Sequence, residues 1–119
     1  MHETVRLPIA TVRTEELDGA AVVEVTGDVD MSNAAELRAA LTAALDSGPA
    51  VVDLTGTTFF CSAGINVLVN AAILARDHEV RLAVQAAHGA VLRPLQLAGV
   101  HDMLTICPTR EAALAAVLR

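Results

Sequence analysis

A chain of 119 residues, 54% hydrophobic but only 2% aromatic, fits one domain with an aliphatic core, and its 23 alanines let helices sit close to a sheet. A net charge of −6, with eight arginines, no lysine and no basic cluster, leaves nucleic acid no electrostatic footprint, so DNA and RNA binding are set aside. Cys61 and Cys107 lie far apart and no secretory leader follows Met1, while the longest apolar run, from Ala63 to Ala75, is broken by Asn66 and Asn70 and falls short of the roughly 20 residues of a membrane span; a cytoplasmic protein without membrane contact is expected.

Residues Met1 to Pro8 show no period and read as a loose lead-in to a single domain spanning 1–119. The β-branched content from Ile9 to Glu16 predicts a first strand, reversed by a turn at Leu17-Asp18-Gly19. Ala21, Val23 and Val25 alternate with Glu24 and Thr26, which predicts an antiparallel partner strand and hence an edge hairpin, ended by Gly27-Asp28-Val29-Asp30. A helix then begins at Ser32 or Asn33, with Glu36 placed to close a capping box with Asn33. Leu37, Leu41, Ala44 and Leu45 form its apolar face, and Gly48-Pro49 stops it.

Ala50 to Leu54 predicts a short buried strand, joined to the previous one by a right-handed parallel crossover. A polar turn at Thr55–Thr58 and the aromatic pair Phe59 and Phe60 follow, and then Ser62 at the threshold of a helix from Ala63 to about Arg76. After a charged turn at Arg76–Glu79, Val80–Val84 predicts another strand. A third helix within Gly89–Ala98 meets Pro94, which predicts a late start near Val91 or a bend, and Gly99 reads as its left-handed C-cap. Leu104–Cys107 predicts the last strand, Pro108-Thr109 the cap of a final helix, and Leu114, Val117 and Leu118 that helix's core face. The cadence is α/β: a mixed sheet of about five strands, an antiparallel hairpin followed by parallel crossovers, with about four helices packed on it.

Ser62 has two physical meanings. Its hydroxyl can cap the helix by accepting from a free N–H of the first turn, an interaction worth about 1 kcal/mol over alanine. An exposed hydroxyl there is also a good phosphate acceptor, because the unpaired N–H groups and the positive end of the helix dipole tolerate a dianion. Ser62, Asn66 and Asn70, spaced by four, form one polar stripe: an ordinary solvent face, or a partner surface if Ser62 is the docking point. Cys61 is either a small packed hydrophobe or a thiol activated by the helix start. Asp28 and Asp30 serve turn chemistry or line the same end of the sheet as Ser62. Phe60-Cys61-Ser62-Ala63-Gly64 lacks the first glycine of a nucleophile elbow, and His78, His88 and His101 are isolated, so neither a serine hydrolase nor a metal centre is expected. A nucleotide-binding protein would need a glycine-rich phosphate loop, which the sequence lacks.

The run DLTGTTFFCSAG, with Asp53, Leu54, Gly56, Phe59, Ser62, Gly64, Val67 and Leu68, resembles the signature of STAS domains, most closely the single-domain anti-sigma factor antagonists of bacteria. GDVD at Gly27–Asp30 and LQLAGVHDML at Leu95–Leu104 are similar to that family's other motifs, so the likeness runs from about Ala10 onward. Cys61 stands where the family usually has aspartate, and Asn66 where it has a small residue. The resemblance implies a non-enzymatic regulator of transcription, phosphorylated at Ser62, with a partner surface of Asp28, Asp30, Cys61, Ser62, Ala63, Gly64, Asn66 and Asn70. It implies an anti-sigma factor with serine-kinase activity as partner and a phosphatase as a second one. No cofactor of its own is implied, since ATP and magnesium belong to the kinase. A phosphorylation-independent STAS interaction subunit of a signalling or transport assembly is the alternative, kept open by Cys61.

Overall fold

A computed structural model of the chain describes residues 10–118; the lead-in through Pro8, and Ile9 at the expected start of the first strand, lie outside the described residues. Among the described residues five strands and four α-helices follow one another as β1 (Thr11–Leu17), β2 (Ala20–Val29), α1 (Ala34–Ser47), β3 (Ala50–Phe60), α2 (Ser62–Asp77), β4 (Leu82–Gln85), α3 (Gly89–Leu97), β5 (Ile106–Cys107) and α4 (Arg110–Val117), with a 3₁₀ turn at His101–Met103. Asp18 (φ 54°) and Gly19 (φ 95°) make the two-residue turn with both central residues left-handed, which matches the twist of the β1–β2 hairpin.

The strands lie side by side in sequence order, β1 antiparallel to β2 and every later pair parallel. With that order, crossovers of one hand must all pass over the same face. Leu37 and Leu41 of α1, Val67 and Leu68 of α2, and Val91 and Leu95 of α3 accordingly share one core with Val23, Val52 and Val84 of the strands. The alternate strand residues Val22, Val51 and Ala83 point the other way, under Ala113 and Val117 of α4.

Several elements differ from the sequence-based expectation. Thr55–Thr58 is no turn: β3 continues to Phe60, and two register slips against β2 absorb its extra residues. The polar groups there are satisfied inside the sheet, since the Thr57 hydroxyl, in a fully buried residue, donates to the Val25 carbonyl at 3.2 Å. β2 likewise runs on to Val29, kinked at Gly27 with φ 91°. β4 starts at Leu82 rather than Val80, whose N–H is spent on the Ala75 carbonyl (3.0 Å) in closing α2. β5 is reduced to two residues because the Leu104 N–H turns back to the His101 carbonyl of the 3₁₀ turn.

α3 starts at Gly89, not near Val91, and holds Pro94 inside; burial of Val91 and Leu95 on either side secures the turn, and the Pro94 carbonyl still accepts from Ala98 at 3.0 Å. Gly99, at φ 73°, closes this helix as expected. Thr109 caps α4, its hydroxyl oxygen accepting from the Ala112 N–H at 3.1 Å, whereas Leu118 lies beyond the last helical turn and is exposed instead of joining the core face.

The face under α4 carries a buried carboxylate, next to Gln85 in register. Asp53, buried on β3, accepts the N–H (3.0 Å) and hydroxyl (2.7 Å) of Thr55 through one oxygen and the Arg110 guanidinium (2.8 Å) through the other. Glu15 and Glu24 lie 3.6 Å from the same guanidinium. Burial pushes the Asp53 carboxyl up, but the Thr55 hydrogen bonds and the Arg110 guanidinium outweigh it and hold the group below the usual carboxylate range. A carboxyl lowered on folding binds fewer protons in the folded than in the unfolded chain, so its stabilisation is complete above the unfolded value and is lost as pH falls through the folded one. Urea midpoints measured from pH 5 downward are therefore expected to fall more steeply for the native chain than for Asp53→Asn, which starts lower by about 2 kcal/mol.

Glu79 takes the left-handed position (φ 57°) that ends α2, with its N–H on the Arg76 carbonyl at 3.1 Å. Its Cβ makes that conformation costly, so Glu79→Gly is expected to raise stability by about 0.5–1 kcal/mol, as a higher urea midpoint at unchanged slope.

Candidate functional site

The site is built where β2 and β3 end together. Val29 pairs with Phe60 in parallel register, and one residue later the Cys61 N–H donates to the Val29 carbonyl at 3.1 Å. That bond carries the strand pairing up to the helix, so Asp30 and Ser62 leave the sheet side by side. α2 then passes close above: a Cβ on Gly64 would lie 2.9 Å from the Phe60 ring and 3.1 Å from Val29 Cγ1.

Ser62 is the first residue of α2, not its N-cap. The cap position belongs to Cys61, extended at φ −88° and ψ 177°, whose side chain makes no capping bond. The Ser62 side chain is exposed and its hydroxyl has no hydrogen-bond partner among the described residues. No acidic side chain occupies the first turn, and the Cys61 carbonyl takes up only the Ile65 N–H (3.1 Å). The helix thus starts with its early N–H groups uncovered by side chains, an environment that favours an anion at Ser62.

The loop from β2 to α1 forms the neighbouring wall. Asp28 accepts the Thr58 hydroxyl at 2.6 Å from the adjacent strand. Asp30 accepts the N–H (2.8 Å) and hydroxyl (2.5 Å) of Ser32, and chiefly that hydroxyl holds its carboxyl below the ordinary range. Asn33 is buried and braces the loop, its amide donating to the Asp28 carbonyl (2.9 Å) and accepting from the Asp30 N–H (3.0 Å). The capping box expected between Asn33 and Glu36 is not made, because the Asn33 side chain is committed backwards to this loop.

Of the residues expected around Ser62, Asn66 and Asn70 are exposed along α2, Cys61 and Ala63 are half-buried, and Gly64 is buried as the contact point with the strands. Sequence reasoning missed Thr58, the partner of Asp28, and Met31, which is 85% exposed in the loop beside Asp30. Phe59, already noted as half of an aromatic pair, is 53% exposed, whereas Phe60 is buried. An exposed methionine in a loop carries no periodic signal. Thr58 could be found only once its register against Asp28 was known.

A family model described as Mlab, STAS domain matches residues 12–105. The chain belongs to the STAS domain family. The anti-sigma-F factor antagonist RsfB of Mycobacterium tuberculosis is similar to this STAS chain, 28% identical over 109 residues that span 90% of this chain and 88% of RsfB. The crystal structure of an anti-sigma factor antagonist from Mycobacterium paratuberculosis matches with a TM-score of 0.85 at 31% identity, covering 93% of this chain and 96% of that one. SpoIIAA of Bacillus in its unphosphorylated form shares the fold at 15% identity, with a TM-score of 0.73 over 88% of this chain and 95% of that one.

In this STAS chain Gly64 sets how near α2 can come to the strand ends. Gly64→Ala improves helix propensity but drives a methyl group into the buried Phe60 ring. A net loss of about 1–2 kcal/mol is expected from chemical denaturation, and a gain instead would show that the ring moves freely.

Proposed function

We propose that the chain is a non-enzymatic anti-sigma factor antagonist, which in its unphosphorylated form binds an anti-sigma factor through the surface around Ser62 and so releases a sigma factor for transcription. The observation that carries this reading is the exposed Ser62 hydroxyl, without a hydrogen-bond partner among the described residues, on an uncapped helix start flanked by the braced Asp28–Asn33 loop. Likeness to RsfB and to the Mycobacterium paratuberculosis antagonist supports it.

The partner we infer is an anti-sigma factor that is itself a serine kinase, holding ATP and magnesium in its own site. Ser62 Oγ attacks the γ-phosphorus, the new O–P bond replaces the bond to ADP, and the hydroxyl proton passes to a base on the kinase. Asp28 is a poor candidate for that base, because its carboxylate already holds the Thr58 hydroxyl. The product carries roughly −1.5 to −2 extra charge on a surface that docked as a neutral hydroxyl, and desolvating that charge ends the contact. A phosphatase would restore the binding form by hydrolysing the ester.

A second reading rests on Cys61. Without a carboxylate before Ser62 the chain can serve as a phosphorylation-independent interaction subunit of a signalling or transport assembly. Binding and phosphosite mapping with the cognate anti-sigma factor separate the two. Ser62→Ala is expected to bind as the native chain and take no phosphate, while Ser62→Asp weakens binding at least about tenfold, some 1.4 kcal/mol. Equal binding by both variants would sink the charge switch. If the native chain stays unmodified and Cys61→Asp becomes a substrate, the second reading stands.

A further inference from the structure

At the opposite end of the sheet from Ser62 lies a cavity of about 450 Å³, lined by Arg76, Arg81, Leu82, Val84, Met103 and Leu104 among others. It exists because β4 outruns β5: only Val84 and Gln85 pair with β5, so among the described residues no strand lies beyond Leu82 and Ala83. Ala50 donates to the Arg81 carbonyl on the β3 side and Val84 donates to Thr105 on the β5 side. By the two-residue alternation of a strand, the Leu82 N–H therefore faces the gap, at a level no residue of β5 reaches.

The charge at this place is unlike that of the rest of the chain. The protein carries 14 acidic against eight basic residues, yet the cavity is lined by two arginines and by no carboxylate among the described residues. Neither arginine makes an ion pair with a described residue, in contrast to Arg110, which sits among three carboxylates. Thr105 adds a polar side chain, and the other described lining residues are aliphatic or methionine, with no aromatic ring on which a nucleobase could stack.

We propose that this cavity binds a small amphipathic anion, an aliphatic carboxylate whose head meets the Arg76 and Arg81 guanidinium groups while its chain lies along Leu82, Val84, Met103 and Leu104. The volume is that of an ordinary small-molecule site. Two planar guanidinium forks suit a carboxylate, and the aliphatic walls supply the affinity that such a head alone lacks in water. The site stands apart from Ser62, because the two lie at opposite ends of α2.

The test is a titration of the full ¹⁵N-labelled chain with sodium octanoate, followed by amide shifts. Saturable shifts at Arg76, Leu82, Val84 and Leu104 are expected, with binding weakened about tenfold in Arg76→Gln/Arg81→Gln and unchanged in Ser62→Asp. Octanol, with the same chain and no charge, is expected to bind at least about fivefold more weakly. The proposal is overturned if octanoate gives no saturable shifts at millimolar concentration, if the shifts centre elsewhere, or if octanol binds as well as octanoate. Native-like octanoate binding by the double arginine variant would overturn it too.

Discussion

The arrangement depends on one close approach, that of α2 to the shared end of β2 and β3. Gly64 has no side chain to hold the helix off the Phe60 ring and Val29, and the Cys61 N–H is tied to the Val29 carbonyl one residue before the helix begins. With both constraints in place the direction in which the helix departs is fixed. Phe60 goes inward, Cys61 is half-covered, and Ser62 is turned out to solvent. The exposed serine is therefore a consequence of packing below it rather than of any interaction it makes.

β3 serves two masters, and the buried Asp53 shows how. Its first residues are the centre of the sheet, buried on both faces, while its last residues must reach the surface to present the site. The change of role occurs at Asp53–Thr58, where the strand slips twice in register and shifts from valine to threonine and glycine. Asp53 takes up the Thr55 N–H and hydroxyl at the first slip and, through Arg110, ties this strand to the start of α4 on the opposite face. Leaving either partner alone in that place would strand a desolvated charge or an unmet amide, which costs more than the bond itself contributes.

Much of this was legible in the sequence wherever period and punctuation agreed. The Asp18-Gly19 hairpin turn, the faces of α1, the Thr109 cap and the Gly99 helix end each follow from residues within a few positions of one another. What could not be read were features set by pairing across the sheet or by a competing partner in a loop. Threonine and glycine at Thr55–Thr58 fit a turn as well as a bulged strand, and only pairing with Thr26–Val29 decides between them. Asn33 fits a helix cap until the Asp28 carbonyl offers its amide another partner. Ser62 moved from cap to first helical residue by a single position, yet this changes the hydroxyl from an occupied group to one without a partner among the described residues. The STAS motif pointed to the candidate site, whose loop geometry combines local bonds among Asp28, Asp30, Ser32 and Asn33 with one long-range bond from Thr58 to Asp28.

The two ends of α2 can be read independently, and magnitudes show why. A helix of 16 residues spans about 24 Å, more than twice the Debye length of about 8–10 Å at physiological salt. A phosphoryl dianion on Ser62 would be felt strongly by a partner pressed against that end and by Asp28 and Asp30 beside it. Arg76 and Arg81, across solvent at the far end, would scarcely sense it. Nor would the dianion disturb the core, because the nearest apolar contacts of α2, through Gly64 and Val67, lie on the inner side of the helix, away from the Ser62–Asn66–Asn70 stripe. Coupling between an anion at the arginine end and the state of Ser62 would therefore have to travel mechanically, as a shift of α2 against Phe60 and Val29, where Gly64 leaves almost no slack.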